Sequence, residues 1–278
     1  MKFVAIPIRT KYWRPGDDFM RIIVQSVAGL CEDEDIVVVS EKALSVALGQ
    51  IVDESHLETS FTAVVLTKFW MRIVWGYVLG RICHLNRRTV WRLRYYPLPD
   101  GAAHKQLTIR QVGLRQSLLY YSEGGIDLSN LPYSFAALPL ANPELECERL
   151  LNAITNSTKK RLSVMIVDTD KTYTHGKMYL TPRPAAIKGI KSLGVVALIV
   201  GRALRWNARA TPLAVCGRGL SVEEALTVAD AADKARGHGA GRTVWDMARR
   251  FGVGLREVTW EMIEQVPHRP IVLIRKTD

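Results

Sequence analysis

The sequence predicts an α+β protein in which mixed sheets are packed against helices. Residues 36–40 and 162–167 are short, largely β-branched or aliphatic and uniformly apolar, which is typical of strands buried on both faces. Residues 19–30 and 221–236 instead place apolar side chains at helical spacing. Because strands and helices follow one another without a regular strand–helix–strand rhythm, a mixed arrangement is favoured over a doubly wound parallel sheet.

The first fifty residues predict strands and helices in alternation. An opening apolar strand is followed by a Pro15-Gly16 turn, and Asp17-Asp18 can then cap a helix, because a carboxylate accepts from the free backbone N–H groups of a first turn. Gly49 is expected near the end of a second helix. The predicted elements are strands at 2–8, 36–40 and 51–52, and helices at 19–30 and 41–49.

The middle of the chain predicts a mainly helical stretch followed by strands. In residues 89–95, Trp91, Leu93 and Tyr95 alternate with arginines, which is the period of a strand. A hairpin is expected about Val112-Gly113. The predicted elements are helix over much of 56–88, strand at 89–95, a loop at 97–101, and hairpin strands at 106–111 and 114–121.

The last part of the chain predicts helices with recognisable starts. Pro143 can open a helix, since proline suits the first turn, and Ser221 with Glu224 has the spacing of a capping box. We expect a single unit over residues 1–278, with two lobes allowed. The predicted elements are helices at 143–155, 221–236 and 243–251, strands at 162–167 and 270–274, and a helical insertion at 243–265.

Composition and charge narrow the class of protein. The 278 residues are 48% hydrophobic and carry a net charge of +11, so the chain is globular rather than disordered, and its basic balance favours anionic partners. The four cysteines lie far apart with no CxxC pair, which argues against a zinc ribbon or a disulfide scaffold. Free thiols, and an N-terminus unlike a signal peptide, predict a cytoplasmic location.

Residues 62–80 are the one stretch whose apolar character suggests a membrane. Lys68 and Arg72 interrupt it at i and i+4, and each would cost about 2.5–3.5 kcal/mol at the centre of a span. An amphipathic helix that packs on the core therefore fits better than a span, with a membrane or partner surface as the alternative use of its apolar side. No membrane partner is expected.

Two basic segments leave nucleic acid open as a partner, although it is not favoured. If residues 81–92 are helical, Arg81, His84, Arg88 and Arg92 share a face that could bind a polyanion, and a solvated face is the alternative. Residues 244–262 have the spacing of a helix-turn-helix whose second helix would present Arg256. That second helix also carries glutamates, which weakens the DNA-binding interpretation.

Two acidic clusters carry the chemistry. Gly124-Gly125-Ile126-Asp127 follows an apolar run, and Asp168-Thr169-Asp170 is expected at the end of the strand 162–167. Carboxylates at strand ends can converge on a hard cation such as Mg²⁺ or Mn²⁺, which in turn can bridge substrate phosphates. The alternative is that each aspartate merely caps a turn or a helix.

These clusters lie in a longer series of motifs that resembles one family, the coenzyme F-420 glutamyl ligases. GGIDLSN resembles the family's AGIDxSN, and VMIVDTDKTYTHG resembles its ITDTxGRxxRxG segment. VVVSEKALSVALGQI is similar to VVSQKIVSKAEGRI, and PIVLIR to the closing PVVLIRG. The opening Pro-Gly-Asp-Asp and the VADAADKARG helix also match in family order, so the resemblance extends over nearly the whole chain.

The resemblance implies an amide ligase that uses GTP and a divalent metal, Mg²⁺ or Mn²⁺, to add L-glutamate to a deazaflavin precursor. The family chemistry is phosphorylation of a carboxylate followed by attack of an amino group, so the implied substrates are a nucleotide and small-molecule acids and amines. It further implies a two-part α+β fold and an intertwined homodimer. The alternative function is a fold-retaining, non-catalytic binding protein whose basic face meets nucleic acid or another polyanion.

The resemblance also transfers individual site residues and shows where this chain departs from the pattern. Val46 stands where the family has a lysine, which removes a cation that could pair with a phosphate of GTP. The glycine-rich turn 237–241, followed by Arg242, either ends a helix or cradles a phosphate. The implied metal ligands are Asp127, Asp168 and Thr169, and the implied nucleotide contacts are Arg9, Thr10, Lys11, Glu41, Lys42 and Asn130.

Overall fold

A seven-stranded mixed sheet organises the chain in the computed structural model, which describes residues 2–121 and 123–277. A separate pair of short strands forms a second, small sheet. The large sheet contains β1 (Lys2–Thr10), β2 (Ile36–Ser40), β5 (Ser163–His175), β6 (Met178–Thr181), β7 (Lys191–Ser192), β8 (Asn207–Cys216) and β9 (His268–Thr277), and the small sheet contains β3 (Ile51–Asp53) and β4 (Phe135–Ala137).

Pairing in the large sheet is both parallel and antiparallel. β9 lies between β1 and β2 and is antiparallel to each of them, so the last strand of the chain is an interior strand. β2 and β5 run parallel from Ile36 opposite Ser163 to Ser40 opposite Val167, and β5 then pairs antiparallel with β8 and β6. This mixture confirms the predicted α+β class with mixed sheets and packed helices.

Helices cover both faces of the sheet. The sheet needs cover on both faces because both faces of β2 are buried. Its side chains alternate between two apolar cores, with Val37 and Val39 on one side and Ile36 and Val38 on the other. The helices are α1 (Phe19–Val27), α2 (Glu41–Ala47), α3 (Phe61–Ile82), α4 (Arg87–Arg94), α5 (Leu98–Val112), α6 (Leu114–Ser117), α7 (Pro143–Thr158), α8 (Val195–Ala203), α9 (Val222–Arg236), α10 (Val244–Phe251) and α11 (Trp260–Glu264).

One face of the sheet packs against α1, α2 and α7, and the other against α9. The helix starts predicted at Asp18 and Ser221 are confirmed, since the Asp18 side chain accepts from Arg21 N and Ser221 forms a complete capping box with Glu224. Pro143 opens α7 as expected. Local capping residues and proline therefore determine where these helices begin, and packing against the two faces of the sheet stabilises them.

Residues 87–117 are helical, and here the sequence predictions are wrong. The predicted strand 89–95 is α4, because Asn86 caps its N-terminus and because the rings of Trp91 and Tyr95, at i and i+4, are in contact with their centroids 5.0 Å apart. The predicted loop 97–101 and hairpin 106–121 are largely α5 and α6. Prolines and a glycine in the first turn of α5 give it the composition of a loop, although proline is tolerated there.

Two further expectations are corrected. Arg81, His84, Arg88 and Arg92 do not share a helix face, since α3 ends at Ile82 and His84 adopts a positive φ of 51°. In the proposed helix-turn-helix, Arg256 lies in a 3-10 turn and pairs with Asp100 at 3.1 Å instead of projecting from a second helix. That second helix, α11, has only five residues.

Asp168 does not end its strand, and three strands of the large sheet, β6, β7 and β8, had no sequence prediction. A register shift against β8 between Asp168 and Lys171 lets β5 continue to His175. Irregularities of this kind bend a strand and re-aim its side chains, and they are common beside functional sites. The strand β8, residues Asn207–Cys216, pairs with β5 on both sides of this irregularity.

Candidate functional site

A cavity of about 1000 Å³ lies at one edge of the large sheet. Ser40 at the carboxyl end of β2 and Thr169, Asp170 and Lys171 at the β5 irregularity line it. Because β2 and β5 are parallel, their carboxyl ends meet at the same edge, which is where ligands bind in open sheets. The start of β9, the turn after α9 and the N-terminal parts of α4 and α10 complete the wall.

Lys42 and Asp127, two of the residues implied by the family resemblance, meet in this wall. Lys42 Nζ donates to Asp127 Oδ2 at 2.5 Å and to Ser129 Oγ at 2.7 Å. Asp127 Oδ1 accepts in turn from Ser129 N at 2.7 Å. Both side chains are only partly buried, so the ammonium group is fixed in position and still borders the cavity.

Asn130 holds the glycine-rich turn at residues 237–241. Its Oδ1 accepts from Ala240 N at 2.6 Å, and its Nδ2 donates to the carbonyl of Gly241 at 3.1 Å. Asn130 adopts a positive φ of 57°, a conformation that asparagine tolerates better than most residues. Tyr12, whose pKa burial raises, stays protonated and donates its hydroxyl to Asn130 O at 2.5 Å. Asn130 therefore positions the turn.

Glu41 and Asp168 are joined by a guanidinium group that sequence reasoning missed. Arg183, only 2% exposed, contacts Glu41 Oε1 at 2.7 Å and Asp168 Oδ2 at 3.2 Å and donates to Gly124 O at 2.7 Å. Glu41 also accepts from Leu140 N at 2.9 Å, and burial raises its pKa to about 7. Glu41 and Asp168 therefore lie behind the cavity wall rather than on its surface.

The remaining residues implied by the resemblance lie at or near the border of the cavity. Arg9 and Thr10 end β1, and Lys11 follows it. None of the three lines the cavity, whereas the next residues, Tyr12 and Trp13, do. Lys11 pairs with Asp17 at 2.6 Å on the surface. Thr169 lines the cavity, with its Oγ1 3.5 Å from Asp168 Oδ1.

The donor set implied for a divalent metal does not fit such an ion in this arrangement. Both oxygens of Asp127 are engaged, one of them by an ammonium group, and Asp168 faces a guanidinium group. Within residues 2–121 and 123–277, no group of three or more His, Cys, Asp or Glu side chains is placed to hold a metal. Since a cation partner and a metal ion compete for the same carboxylate, metal binding by Asp127, Asp168 and Thr169 stays a prediction.

Val46 makes one part of the cavity wall apolar. Its side chain is buried against Leu131 and Ala137 and borders the cavity at the same time. Where the family pattern has a lysine, this chain therefore offers aliphatic surface, and a phosphate placed there would have no cationic partner from this position.

The cavity walls are nevertheless strongly cationic. Nine lysines and arginines line them, against six carboxylates. Six of the nine have hydrogen-bonding or ionic partners, as in the pairs Lys171–Asp233 and Arg236–Asp233. Among the residues that the structure describes, the side chains of Arg88, Arg242 and Arg269 make no hydrogen bond or ion pair, so they are available to an anionic ligand.

Neutral histidines add hydrogen-bonding groups to this wall. His268 is partly buried, and its desolvation lowers its pKa to about 4; its Nδ1 donates to the Lys11 carbonyl at 3.0 Å. Burial and nearby Arg242 lower the pKa of His238 in the glycine-rich turn. Sequence reasoning pointed to this turn and to Arg242. It missed Arg88 and Arg269 as cavity residues, because their place depends on how distant segments pack.

Comparison with known proteins identifies the family of the chain. The family described as F420-0:Gamma-glutamyl ligase matches residues 7–206, about seven-tenths of the chain. The chain is also 34% identical to the uncharacterized protein MJ1361 of Methanocaldococcus jannaschii, over 98% of this chain and 96% of that protein. The resemblance of the motifs and the match of the family model lead to one conclusion: this chain belongs to the F420-0:gamma-glutamyl ligase family.

Proposed function

We propose that the protein is a nucleotide-dependent amide ligase. In the proposed reaction the γ-phosphoryl group of a nucleoside triphosphate, GTP by the family resemblance, passes to a substrate carboxylate and releases the diphosphate. The amino group of L-glutamate then attacks the acyl phosphate, loses a proton and displaces inorganic phosphate. The observation that carries the proposal is the cation-rich cavity at the sheet edge, with its three unpaired arginines.

Positioned cations suit this chemistry because phosphoryl transfer depends mainly on orientation and on stabilisation of developing negative charge. Lys42, held by Asp127 and Ser129, supplies a fixed ammonium group. Arg242 follows the glycine-rich turn that Asn130 anchors, so its backbone is held near the cavity. No step of the proposal is routed through a metal ion.

Ligand-dependent thermal stability tests the proposal. A nucleotide present at about 100 times its Kd should stabilise the protein by about 2.7 kcal/mol, which is a clear rise in Tm. We expect that rise with GTP for the natural chain and its loss in Lys42→Met. Lys68→Met is the matched control, because Lys68 is exposed on α3 outside the cavity.

Three outcomes decide between the alternatives. A rise in Tm with another nucleotide but not with GTP would mean that this other nucleotide is the phosphoryl donor. The absence of any rise with GTP, ATP, CTP and UTP, with and without Mn²⁺, would contradict the ligase proposal and favour the binding-protein alternative. Calorimetry of Mn²⁺ with Asp127→Ala and Asp168→Ala tests the metal assignment separately, since unchanged affinity in both variants would remove these residues as ligands.

A further inference from the structure

The surface of α3 carries a concentration of exposed apolar side chains. Phe69 is 57% exposed and Ile73 47% exposed, although both are large and apolar. Trp91 and Tyr95 of the neighbouring α4 are exposed as well. We call this surface the apolar face; it comprises Phe61, Val65, Phe69, Ile73, Tyr77, Val78, Ile82, Trp91 and Tyr95.

The backbone of α3 explains how one helix presents two apolar sides. Residues Leu66–Leu79 form a π-helix, and Gly80 N donates to the carbonyl of Trp75, five residues back. With more than four residues per turn, the buried Leu66, Met71 and Trp75 fall on one side. Phe69, Ile73, Val78 and Ile82, at spacings of four and five, fall on the other.

The buried side fixes α3 to the rest of the protein. Trp70 Nε1 and Trp75 Nε1 both donate to the carbonyl of Leu118, at 2.8 and 2.9 Å. By length and composition alone this helix could cross a membrane, a test that core helices of soluble proteins also pass. If the helix crossed a membrane, Trp75 and Met71 would lose their contacts with the rest of the protein. The helix can therefore contact a bilayer only through its exposed side, with its axis parallel to the membrane surface.

The segment that carries the apolar face has charged side chains of one sign. Residues 59–99 contain seven lysines and arginines and no aspartate or glutamate. In the part of the chain that the structure describes, Lys68, Arg81 and Arg87 are exposed and pair with no carboxylate. Exposed aromatic and aliphatic side chains together with unpaired basic ones are the composition of a helix that lies in the interface of an anionic bilayer.

From this combination we propose that the apolar face docks on the surface of an anionic lipid bilayer, with α3 lying in the membrane plane. The exposed apolar side chains enter the boundary of the acyl chains, and the basic side chains meet the lipid headgroups. A second copy of the chain fits this face less well. In a two-fold contact the face would meet itself, which would bring the exposed Lys68, Arg81 and Arg87 of both copies together with no acidic partner in residues 59–99.

Co-flotation with lipid vesicles tests the docking. We expect the full chain to float with vesicles containing one-third phosphatidylglycerol in phosphatidylcholine, and to remain below with pure phosphatidylcholine. Binding should weaken as salt rises from about 50 to 500 mM, because exposed charges are then screened. In Phe69→Ser/Ile73→Ser the partition coefficient should fall at least about tenfold.

A matched variant separates the apolar face from general surface hydrophobicity. Leu30 and Leu145 are 51% and 47% exposed but lie after α1 and in α7, on a different layer of the molecule. Leu30→Ser/Leu145→Ser should bind vesicles like the natural chain, and all variants should keep the far-ultraviolet circular dichroism and Tm of the natural chain.

Two results would overturn the proposal. One is failure of the natural chain to float with anionic vesicles at low salt. The other is a dimer, measured by sedimentation, that dissociates in Phe69→Ser/Ile73→Ser, since the face would then be an interface between copies. Neither result depends on nucleotide binding, so this proposal and the proposed ligase activity can fail independently.

Discussion

Gly125 has a backbone conformation that favours glycine and also lies against a buried ion pair. It adopts a φ of +101°, and a Cβ at this position would lie 1.1 Å from Arg183 Nη1. The guanidinium group cannot yield without leaving Glu41 and Asp168 as buried carboxylates. The GGIDLSN motif therefore needs glycine at this point for packing as well as for backbone freedom.

Gly125→Ala should consequently be far more destabilising than its backbone strain alone explains. A positive φ costs alanine about 1–2 kcal/mol, and breaking a buried ion pair costs about 3–5 kcal/mol more. Gly49→Ala is the matched control, because Gly49 has a φ of +73° with open space around its Cβ position. Urea denaturation of both variants measures the difference. Equal losses would show that Arg183 can move away freely.

The site residues themselves were partly predictable from the sequence. Asp127, Lys42 and Asn130 lie in motifs whose residue types indicated chemistry, and the structure brings all three to one cavity. Arg183 was not predictable, because nothing in its local pattern distinguishes it from a surface arginine. Its role depends on carboxylates 142 and 15 positions away in the chain, which only the folded sheet brings together.

At the scale of elements, α5 contributes two members, His104 and Lys105, to a cluster of buried charges. His104 Nδ1 and Nε2 lie 2.6 Å from Glu54 Oε1 and Glu123 Oε2, and Lys105 Nζ lies 2.5 Å from Glu123 Oε1. Despite burial, the two glutamates raise the pKa of His104 to about 10. Despite its own burial, Glu123 has a pKa lowered to about 2 by Lys105 and His104. The cluster ties α5 to the segment that leads into the site.

The free energy of unfolding should depend on pH through the protonation of His104 in this cluster. Protonated His104 contributes stability that is fully present below pH 6.5, its unfolded pKa, and is lost as pH rises toward about 10. His104→Gln should therefore cost about 3–5 kcal/mol near pH 6 and progressively less toward pH 10. Urea denaturation across this range measures the difference, with His84→Gln, at an exposed turn, as the control. A pH-independent difference would contradict a charged His104.

Helices and strands were predictable where the local sequence pattern matches the burial of the segment in the folded protein. The buried strands β2 and β5 begin as uniformly apolar runs, and α9 has its capping box in the sequence. The segment containing α4 and α5 was mispredicted because an Arg–apolar alternation mimics strand period and because Pro97 and Pro99 suggest a loop. In α4, Arg92 instead lines the cavity, Arg94 packs on the ring of Tyr77 in α3, and the rings of Trp91 and Tyr95 belong to the apolar face.

At the scale of the whole molecule, the family match and the folding unit have different extents. The match ends at residue 206, but β9 is the strand between β1 and β2, and β8 pairs with β5. The apolar core on the α9 side of the sheet is built largely from residues beyond 206, including Ala225, Val228 and Ala229. Several cavity residues, among them Arg242 and Arg269, also lie there.

A fragment of residues 1–206 should therefore fail to fold. Without β9, the facing edges of β1 and β2 lose their ladder partners, and without α9 one face of the sheet loses its cover. Circular dichroism and urea denaturation should show no cooperative transition for the fragment.

A circular permutant provides the matched control, because it breaks the chain at the same point but keeps every residue. Lys2 pairs with Thr277, so a short linker can join the two ends of this chain, and the new ends fall after Trp206, next to the exposed turn at Leu204 and Arg205. The permutant should unfold cooperatively and keep the nucleotide-dependent rise in Tm. A cooperative unfolding transition of the fragment would contradict this prediction. It would mean that residues 1–206 fold independently, and that residues 207–278 complete the cavity without being needed for folding.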